Sequence, residues 1–291
     1  PAPARSLPAQ RNAAIAQSTA DILFMIDDDA LMYPDCAAAI MAVYDADRGT
    51  DIAAVGATAV SVSPVAGVGL QPRFEAGLSR RGGVARLLRR SALFRWAWRE
   101  ILLMPLERKF IRYDPPRHAK AQQRFERLSI ADTILREVLE GFTITVRRDI
   151  ALKELFDDGL IGSGIGEDLD ATYRFSRHGL LVQATRARLY HHVIATGRVN
   201  RRIQRTLEVL NPSYFVRRHV RRPGRAYGWV LLFALRYLFA TTLKDIGARR
   251  FNLPEARGVL FAIRRTLPLF LTDHGDLKEW YRAEQRRIMA N

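Results

Sequence analysis

Two predominantly apolar segments of strand length stand out in the first third of the chain. They are ILFMI, residues 22–26, and DIAAVGATAVSV, residues 51–62. Both predict strands, and the first, a continuous apolar run, is read as a buried parallel strand. The segments around them have a different pattern. Residues 9–19, AQRNAAIAQST, are alanine-rich and predict a helix, as do residues 34–46, PDCAAAIMAVYDA, with Pro34 near the start and Asp35 in the first turn. Strand and helix therefore alternate, which predicts an α/β sheet with helices packed on it.

The rhythm breaks over residues 70–140, where arginines and aromatics interleave, as in RRGGVARLLRRSALFRWAWREILLMPLERKF; this stretch reads as a basic insertion of amphipathic helices. It resumes with FTITVRR, 142–148, whose β-branched residues predict a strand. A glycine-rich segment, GLIGSGIGED, leads into a helix expected from about Leu169 to His178 and stopped by Gly179; LLVQA and ARLYHH then read as two short strands. Beyond Thr196 the character changes again. RRHVRRPGR precedes the apolar stretch 226–243, AYGWVLLFALRYLFATTL, and a second apolar stretch, GVLFAIRRTLPLFL, covers 258–271. The expected division is a catalytic α/β domain over 1–196 and a helical region over 197–291.

Composition sharpens this picture in two respects. The 291 residues are 48% hydrophobic, enough for a packed core and incompatible with a disordered chain. The formal net charge is +16, and only five of the 46 basic residues are lysine, a bias that favours phosphates or anionic lipid because guanidinium binds phosphate oxygens in pairs. The single cysteine, Cys36, excludes an internal disulfide and fits a reducing compartment. The chain opens on PAPARSLPAQRN without methionine, and an upstream part is expected.

Against that positive background, three adjacent aspartates follow the first apolar run. If the extended backbone continues, Asp27 and Asp29 share one side and Asp28 points away. Two convergent carboxylates at the carboxyl end of a strand suit a hard divalent cation, Mg²⁺ or Mn²⁺; a solvated acidic turn capping the following helix is the other reading. A second acidic pair, Glu167 and Asp168, opens a helix behind three glycines. These acids either stabilise the helix start or leave a carboxylate at a cleft as a general base. Asp170 is spaced to pair with Arg174. Finally, His191 and His192 end a strand and face opposite sides; one of them could complete a metal shell, spacing does not decide which, and His192 is taken as the candidate.

Taken in order, AQRNAAIAQSTADILFMIDDDALMYPD, VGATAV, EGFTITVRRDIALKELFDDGLIGSGIGEDLDATYRFSRHG and LVQATRARLYHH resemble the family 2 glycosyltransferases, inverting enzymes of the GT-A fold. The resemblance spans residues 9–192, with a poorly matching stretch at 63–139. It implies a Rossmann-like, mixed but mostly parallel sheet flanked by helices, with a membrane-associating helical tail. Asp27 and Asp29 would hold the metal on the donor diphosphate, joined by His192. Arg11, Asn12, Asp27, Asp28, Gly141 and Glu167 would bind the donor, and Asp168 would be the catalytic base.

The family normally begins with a strand, a helix and an aspartate-ending strand that hold the nucleobase. The resemblance therefore implies that about one such unit is missing from the front, leaving a sheet edge uncovered. The implied activity is transfer of a sugar from a nucleoside diphosphate sugar to an acceptor hydroxyl, in cell-envelope polysaccharide or glycolipid synthesis at the cytoplasmic face of the membrane. A metal-dependent nucleotidyltransferase is the enzyme alternative, and a basic nucleic-acid or membrane-binding protein the non-enzymatic one. No recognised nucleic-acid motif accompanies the charge, so no nucleic-acid partner is expected. Residues 226–243 either span a membrane, lie on an anionic leaflet or pack as a helical tail.

Overall fold

A computed structural model of the chain describes residues 6–65, 92, 96, 115–161, 165–192, 200–220 and 223–290. Most of the expected basic insertion, residues 66–114 apart from 92 and 96, lies outside the described residues, as do residues 162–164 of the glycine-rich segment. The chain divides into two compact units. The first is drawn from Pro1–Ser79, Asp114–Asp158 and Gly162–Thr196; the second takes Arg80–Tyr113, Gly159–Ile161 and Gly197–Asn291.

The first unit is an α/β layer structure. Its elements run α1 (Leu7–Gln17), β1 (Ile22–Met25), β2 (Ala30–Met32), α2 (Cys36–Ala46), β3 (Ile52–Val60), α3 (Pro115–Leu128), β4 (Thr133–Arg136), a 3₁₀ turn (Gly141–Thr143), β5 (Ile144–Arg147), α4 (Arg148–Lys153), α5 (Glu167–Phe175) and β6 (Leu180–His191). Among the described residues the mixed sheet has six strands, in the order β1-β5-β3-β6-β2, with β4 also paired to β6.

The expectation of a mostly parallel sheet is corrected. Among the described residues only β3 and β6 pair in parallel, while β1–β5, β3–β5, β2–β6 and β4–β6 are antiparallel. The βαβ rhythm does make β1 and β3 run the same way, but β5 enters between them in the opposite sense. β1, read as an internal parallel strand, is an edge strand paired to β5 alone among the described residues. Residues 133–136, placed in the helical insertion, form β4, whereas residues 115–128 are helical as expected.

Likewise, LLVQA and ARLYHH are one twelve-residue strand. Its register against β3 is irregular, with Gly56 opposite Gln183 and Thr58 opposite Arg188, so a local bulge absorbs the polar interruption. The outer edge of β6 is long enough to serve two short strands, β4 along residues 181–184 and β2 along 189–191.

Both faces of the sheet are covered, which is why β1 reads as a continuous apolar run. Leu23 and Met25 pack with Ile15, Phe156 and Phe175 on one side. Ile22, Phe24 and Ile26 pack on the other against the layer that contains Ile40, Val43 and Tyr44 of α2. Cys36 is buried in that second layer, where burial pushes its thiol up to about 11 and keeps it unreactive. α5 ends at Phe175, before the expected His178, and the buried Asp170–Arg174 pair, with Nε to Oδ2 at 2.9 Å, lies on it as its spacing predicts.

The second unit contains α6 (Arg201–His219), α7 (Pro223–Gly247), α8 (Pro254–Leu271) and α9 (Leu277–Met289). A stacked Tyr214–Tyr281 pair, 4.3 Å between ring centroids, joins α6 to α9. The start of α8 is closed by Asp245 of α7, whose Oδ2 accepts from the backbone N–H groups of Glu255 and Ala256 at 2.9 and 3.1 Å. Burial alone would raise the Glu255 pKa, but hydrogen bonds from Lys244 and Arg250, with Arg205 alongside, bring it down to about 2. This ionic knot fixes three helices to one another. α7 is long and apolar enough to cross a membrane, yet a third of its most apolar window is buried within the protein.

Candidate metal and carboxylate site

β1, β3 and β6 run in one direction, so their carboxyl ends share one rim of the sheet. β5 runs the other way and delivers its entry turn, Gly141–Thr143, to the same rim. The aspartate triplet leaves β1 there. Its backbone does not stay extended: the strand stops at Met25, and a turn closed by Ala30 N–H donating to Asp27 O at 3.0 Å folds the chain back into β2. This turn, rather than strand alternation, brings Asp27 and Asp29 together and leaves Asp28 exposed. None of the three caps α2, whose N-cap is Asp35.

The imidazole that joins the pair is His191, not the candidate His192. Potential ligand atoms of Asp27, Asp29 and His191 all lie within 4.8 Å of one another, and His191 Nε2 is 3.1 Å from Asp29 Oδ1. The reason is register. His191 sits opposite Ala30 on β2, directly beside the turn, whereas His192 faces the other way, its ring 6.2 Å from that of Tyr190. His192 contributes its backbone instead, donating N–H to Asp29 O at 2.8 Å. Leu189 and Tyr190 are both buried, so the alternation in ARLYHH carried no signal for choosing between the histidines. Phe142, which the sequence did not single out, stacks on His191 with centroids 4.2 Å apart and rings 15° from parallel, fixing the imidazole plane.

Arg11 ties the aspartate turn to the second acidic pair. Its guanidinium is buried and reaches three acceptors: Asp27 Oδ1 at 2.8 Å, the Gly141 carbonyl at 2.9 Å, and Glu167 in a close ion pair. It also lies over the Phe156 ring, 5.1 Å from the centroid. Asn12 is directed elsewhere. Its amide donates to Phe156 O and accepts from Phe156 N, both at 2.8 Å, so it clamps the loop after α4 and thereby the ring under Arg11.

Gly141 lies against the carboxylates. Its N–H donates to Asp168 Oδ2 at 3.0 Å, and a Cβ at this position would stand 3.2 Å from Glu167 Oε1 and 3.3 Å from Asp168 Cβ. Asp168 Oδ1 accepts from its own helix, at Leu169 N, at 2.8 Å. Burial raises the pKa of Asp168, and the backbone donors Leu169 and Gly141 oppose the rise without cancelling it.

Glu167 is more extreme. Burial pushes it up to about 8 although Arg11 pulls it down, and Asp168 and Asp27 add to the rise. Its Oε2 is buried with no hydrogen-bond partner among the described residues. A carboxyl raised on folding contributes stability that is complete below its unfolded value of 4.5 and is lost as pH climbs through 8. In the presence of chelator, wild type is therefore expected to lose on the order of a few kcal/mol between these limits relative to Glu167→Gln. Urea unfolding of both proteins across that range checks it; parallel pH curves would refute the assignment.

Two carboxylates and one imidazole form a mixed oxygen and nitrogen donor set that suits a divalent cation such as Mn²⁺, with Mg²⁺ compatible through the oxygens. Asp27 spends Oδ1 on Arg11 and keeps its other oxygen for a cation. Searched against protein-family models and curated proteins, the chain matches none.

Proposed function

We propose that the chain is the catalytic part of a metal-dependent sugar transferase of the inverting, GT-A type. The reading assigns it a nucleoside diphosphate sugar as donor and a glycan or lipid-linked hydroxyl as acceptor, at the cytoplasmic face of the cell membrane. One observation carries it. A candidate cation site (Asp27, Asp29, His191) and a carboxylate of raised pKa (Asp168) lie at one rim of an α/β sheet, joined by Arg11 and Gly141.

In this reading Asp27, Asp29 and His191 hold the cation, which supplies charge neutralisation for a departing diphosphate. Asp168 takes the proton from the acceptor hydroxyl as it attacks, and burial makes its carboxylate the stronger base. Arg11 positions Asp27 and the Gly141 carbonyl, while Phe142 holds His191 in plane. Asn12 is a positioning residue through Phe156, and the exposed Asp28 is free to meet the donor. The apolar helix α7 and the arginine excess support the membrane location.

The test has two readouts. Titration with Mn²⁺ alone, followed by calorimetry or electron paramagnetic resonance, is expected to find one site. Asp29→Ala is expected to weaken it by at least roughly 100-fold, since even outer partners of metal ligands are worth 10- to 100-fold. With nucleotide sugars, the protein is expected to release nucleoside diphosphate in a metal-dependent manner. Release of pyrophosphate would transfer the site to nucleotidyl chemistry, and undiminished activity in excess chelator would end the metal assignment.

A further inference from the structure

The second unit carries a basic cavity that the carboxylate site does not use. It has a volume of about 250 Å³ and is lined by Arg202, Arg257, Leu260, Phe261 and Arg264. Arg257, Leu260, Phe261 and Arg264 fall at i, i+3, i+4 and i+7 along α8 and so share one face of that helix. Arg202 reaches them from the first turn of α6 because the two helices nearly touch at Gly258. There a Cβ would lie 2.3 Å from the Arg202 carbonyl oxygen, and the Thr206 hydroxyl bonds both Arg202 O and Gly258 O, at 2.9 and 3.0 Å. The packing of α6 on α8 thus holds a third arginine over the face of the other two.

The three guanidiniums are exposed, and none has an acidic partner among the described residues. That separates them from their neighbours, since Arg205 pairs with Glu255 and Arg265 with Glu284. Three unneutralised positive charges around one cavity repel each other and are tolerated only because water or an anion screens them. Guanidinium forks match phosphate oxygens. The surroundings identify what carries the phosphate. The α8 face runs Arg257, Leu260, Arg264, Leu267, Leu271, and its three leucines are solvent-exposed, Leu271 by 74%. On the adjoining α7, Trp229, Leu235, Phe239, Leu243 and Ile246 are exposed as well. Cations alternating with exposed leucines on one helix face suit the boundary between headgroups and acyl chains, with the arginines at the phosphates. A soluble anion would have no use for the leucines.

We infer that the Arg202–Arg257–Arg264 cavity binds the phosphate of an anionic lipid, with Leu260, Leu267 and Leu271 against its acyl region. The inference rests on the reading of the second unit as membrane-associated and is independent of the chemistry at Asp168. The test is binding of the whole protein to phosphatidylcholine vesicles with and without phosphatidylglycerol. The comparison is between wild type, the cavity triple variant Arg202→Ala, Arg257→Ala, Arg264→Ala, and a triple variant of equal charge loss outside the cavity, Arg201→Ala, Arg225→Ala, Arg286→Ala. Wild type is expected to prefer phosphatidylglycerol vesicles. The cavity variant is expected to lose roughly 100-fold in affinity, as three basic residues worth about 1 kcal/mol each imply, and the control less than about threefold.

Equal losses in the two triples would reduce the effect to diffuse charge and overturn the cavity while leaving membrane association standing. Absence of vesicle binding in wild type would overturn both. Tight binding of inorganic phosphate without a vesicle preference would make this a soluble-anion site, and tighter binding to RNA than to vesicles would make it a nucleic-acid contact; either outcome refutes the lipid assignment. Should the alanine triple fail to fold, Arg257→Lys with Arg264→Lys keeps the charge and removes the forks, and is expected to weaken binding at least tenfold. Unchanged binding in that variant would refute the inference.

Discussion

Asp168→Asn is expected to lower the turnover of sugar transfer by roughly 10²- to 10⁴-fold, the range of a lost general base, and to leave Mn²⁺ affinity unchanged. The substitution preserves shape and removes both the charge and one acceptor. Asp168 now accepts two backbone N–H groups, Leu169 through Oδ1 and Gly141 through Oδ2. Asparagine can serve only one of them, and its amide N–H₂ must confront the other, at a cost of about 1–3 kcal/mol for the N–H left unpaired. A small loss of stability therefore accompanies the loss of turnover, and urea unfolding separates the two.

The pH profile carries the stronger evidence. Because burial raises Asp168, kcat/KM of wild type should climb with pH through a value above the ordinary aspartate range, as the base deprotonates. That limb should vanish in the variant. A variant that loses metal binding together with turnover, or that keeps the limb, would remove Asp168 from the role of base.

How much of this was legible in the sequence depends on the range of the interaction concerned. Helices α1 and α2 and strands β1, β3 and β5 follow from local pattern, because each buries a stripe or a run whose periodicity lies within one segment. Pairing does not. That β5 inserts between β1 and β3 is decided about 90 positions downstream of β3 by which strand best fills the gap, and nothing in ILFMI records it. The convergence of Asp27 and Asp29 was anticipated, but for a different reason. Strand alternation was invoked, whereas a turn closed at Ala30 performs it. The choice between His191 and His192 is not written in the local pattern, because it turns on register with β2, a three-residue strand too short to carry a periodic signal.

The role of Arg11 was only half visible. Its place near the acids came with the resemblance. Its function as the buried cation that lets Asp27 and Glu167 approach each other requires the contact between α1 and α5, 156 positions apart in sequence. The same applies to Glu167, which resembles an ordinary first-turn acid until burial is known. In the second unit the apolar pattern of 226–243 leaves spanning a membrane, lying on a leaflet and packing as a helical tail all open. That Arg257 and Arg264 share a face follows from helical spacing, but Arg202 joins them only through the contact at Gly258.

Above pH 8, where Glu167 is ionised, Arg11→Met is expected to destabilise the first unit by about 3–5 kcal/mol, the cost of leaving a buried charge without its partner. Methionine restores much of the buried volume over Phe156 and none of the charge. Glu167, already without a partner at Oε2, then loses its ion pair as well, whereas Asp27 is partly exposed and can recover water. Most of the penalty should therefore sit on Glu167. The double variant Arg11→Met with Glu167→Gln is expected to recover a substantial part of it, giving a coupling of about 1–3 kcal/mol in a double-mutant cycle followed by urea unfolding. The penalty of the single variant should also shrink as pH falls through about 8, where Glu167 takes up its proton and no longer needs the guanidinium. Additive effects of the two substitutions would mean that Arg11 stabilises through the Gly141 carbonyl and Phe156 instead. Cation binding is expected to move the other way. Arg11 competes for Asp27 and adds positive charge beside the candidate metal position, so the folded single variant should bind Mn²⁺ at least as tightly as wild type while being less stable. A parallel loss of stability and Mn²⁺ affinity would show instead that Arg11 holds the turn of Asp27 and Asp29 in shape, making it a positioning residue for the metal site rather than a counter-ion for its carboxylates.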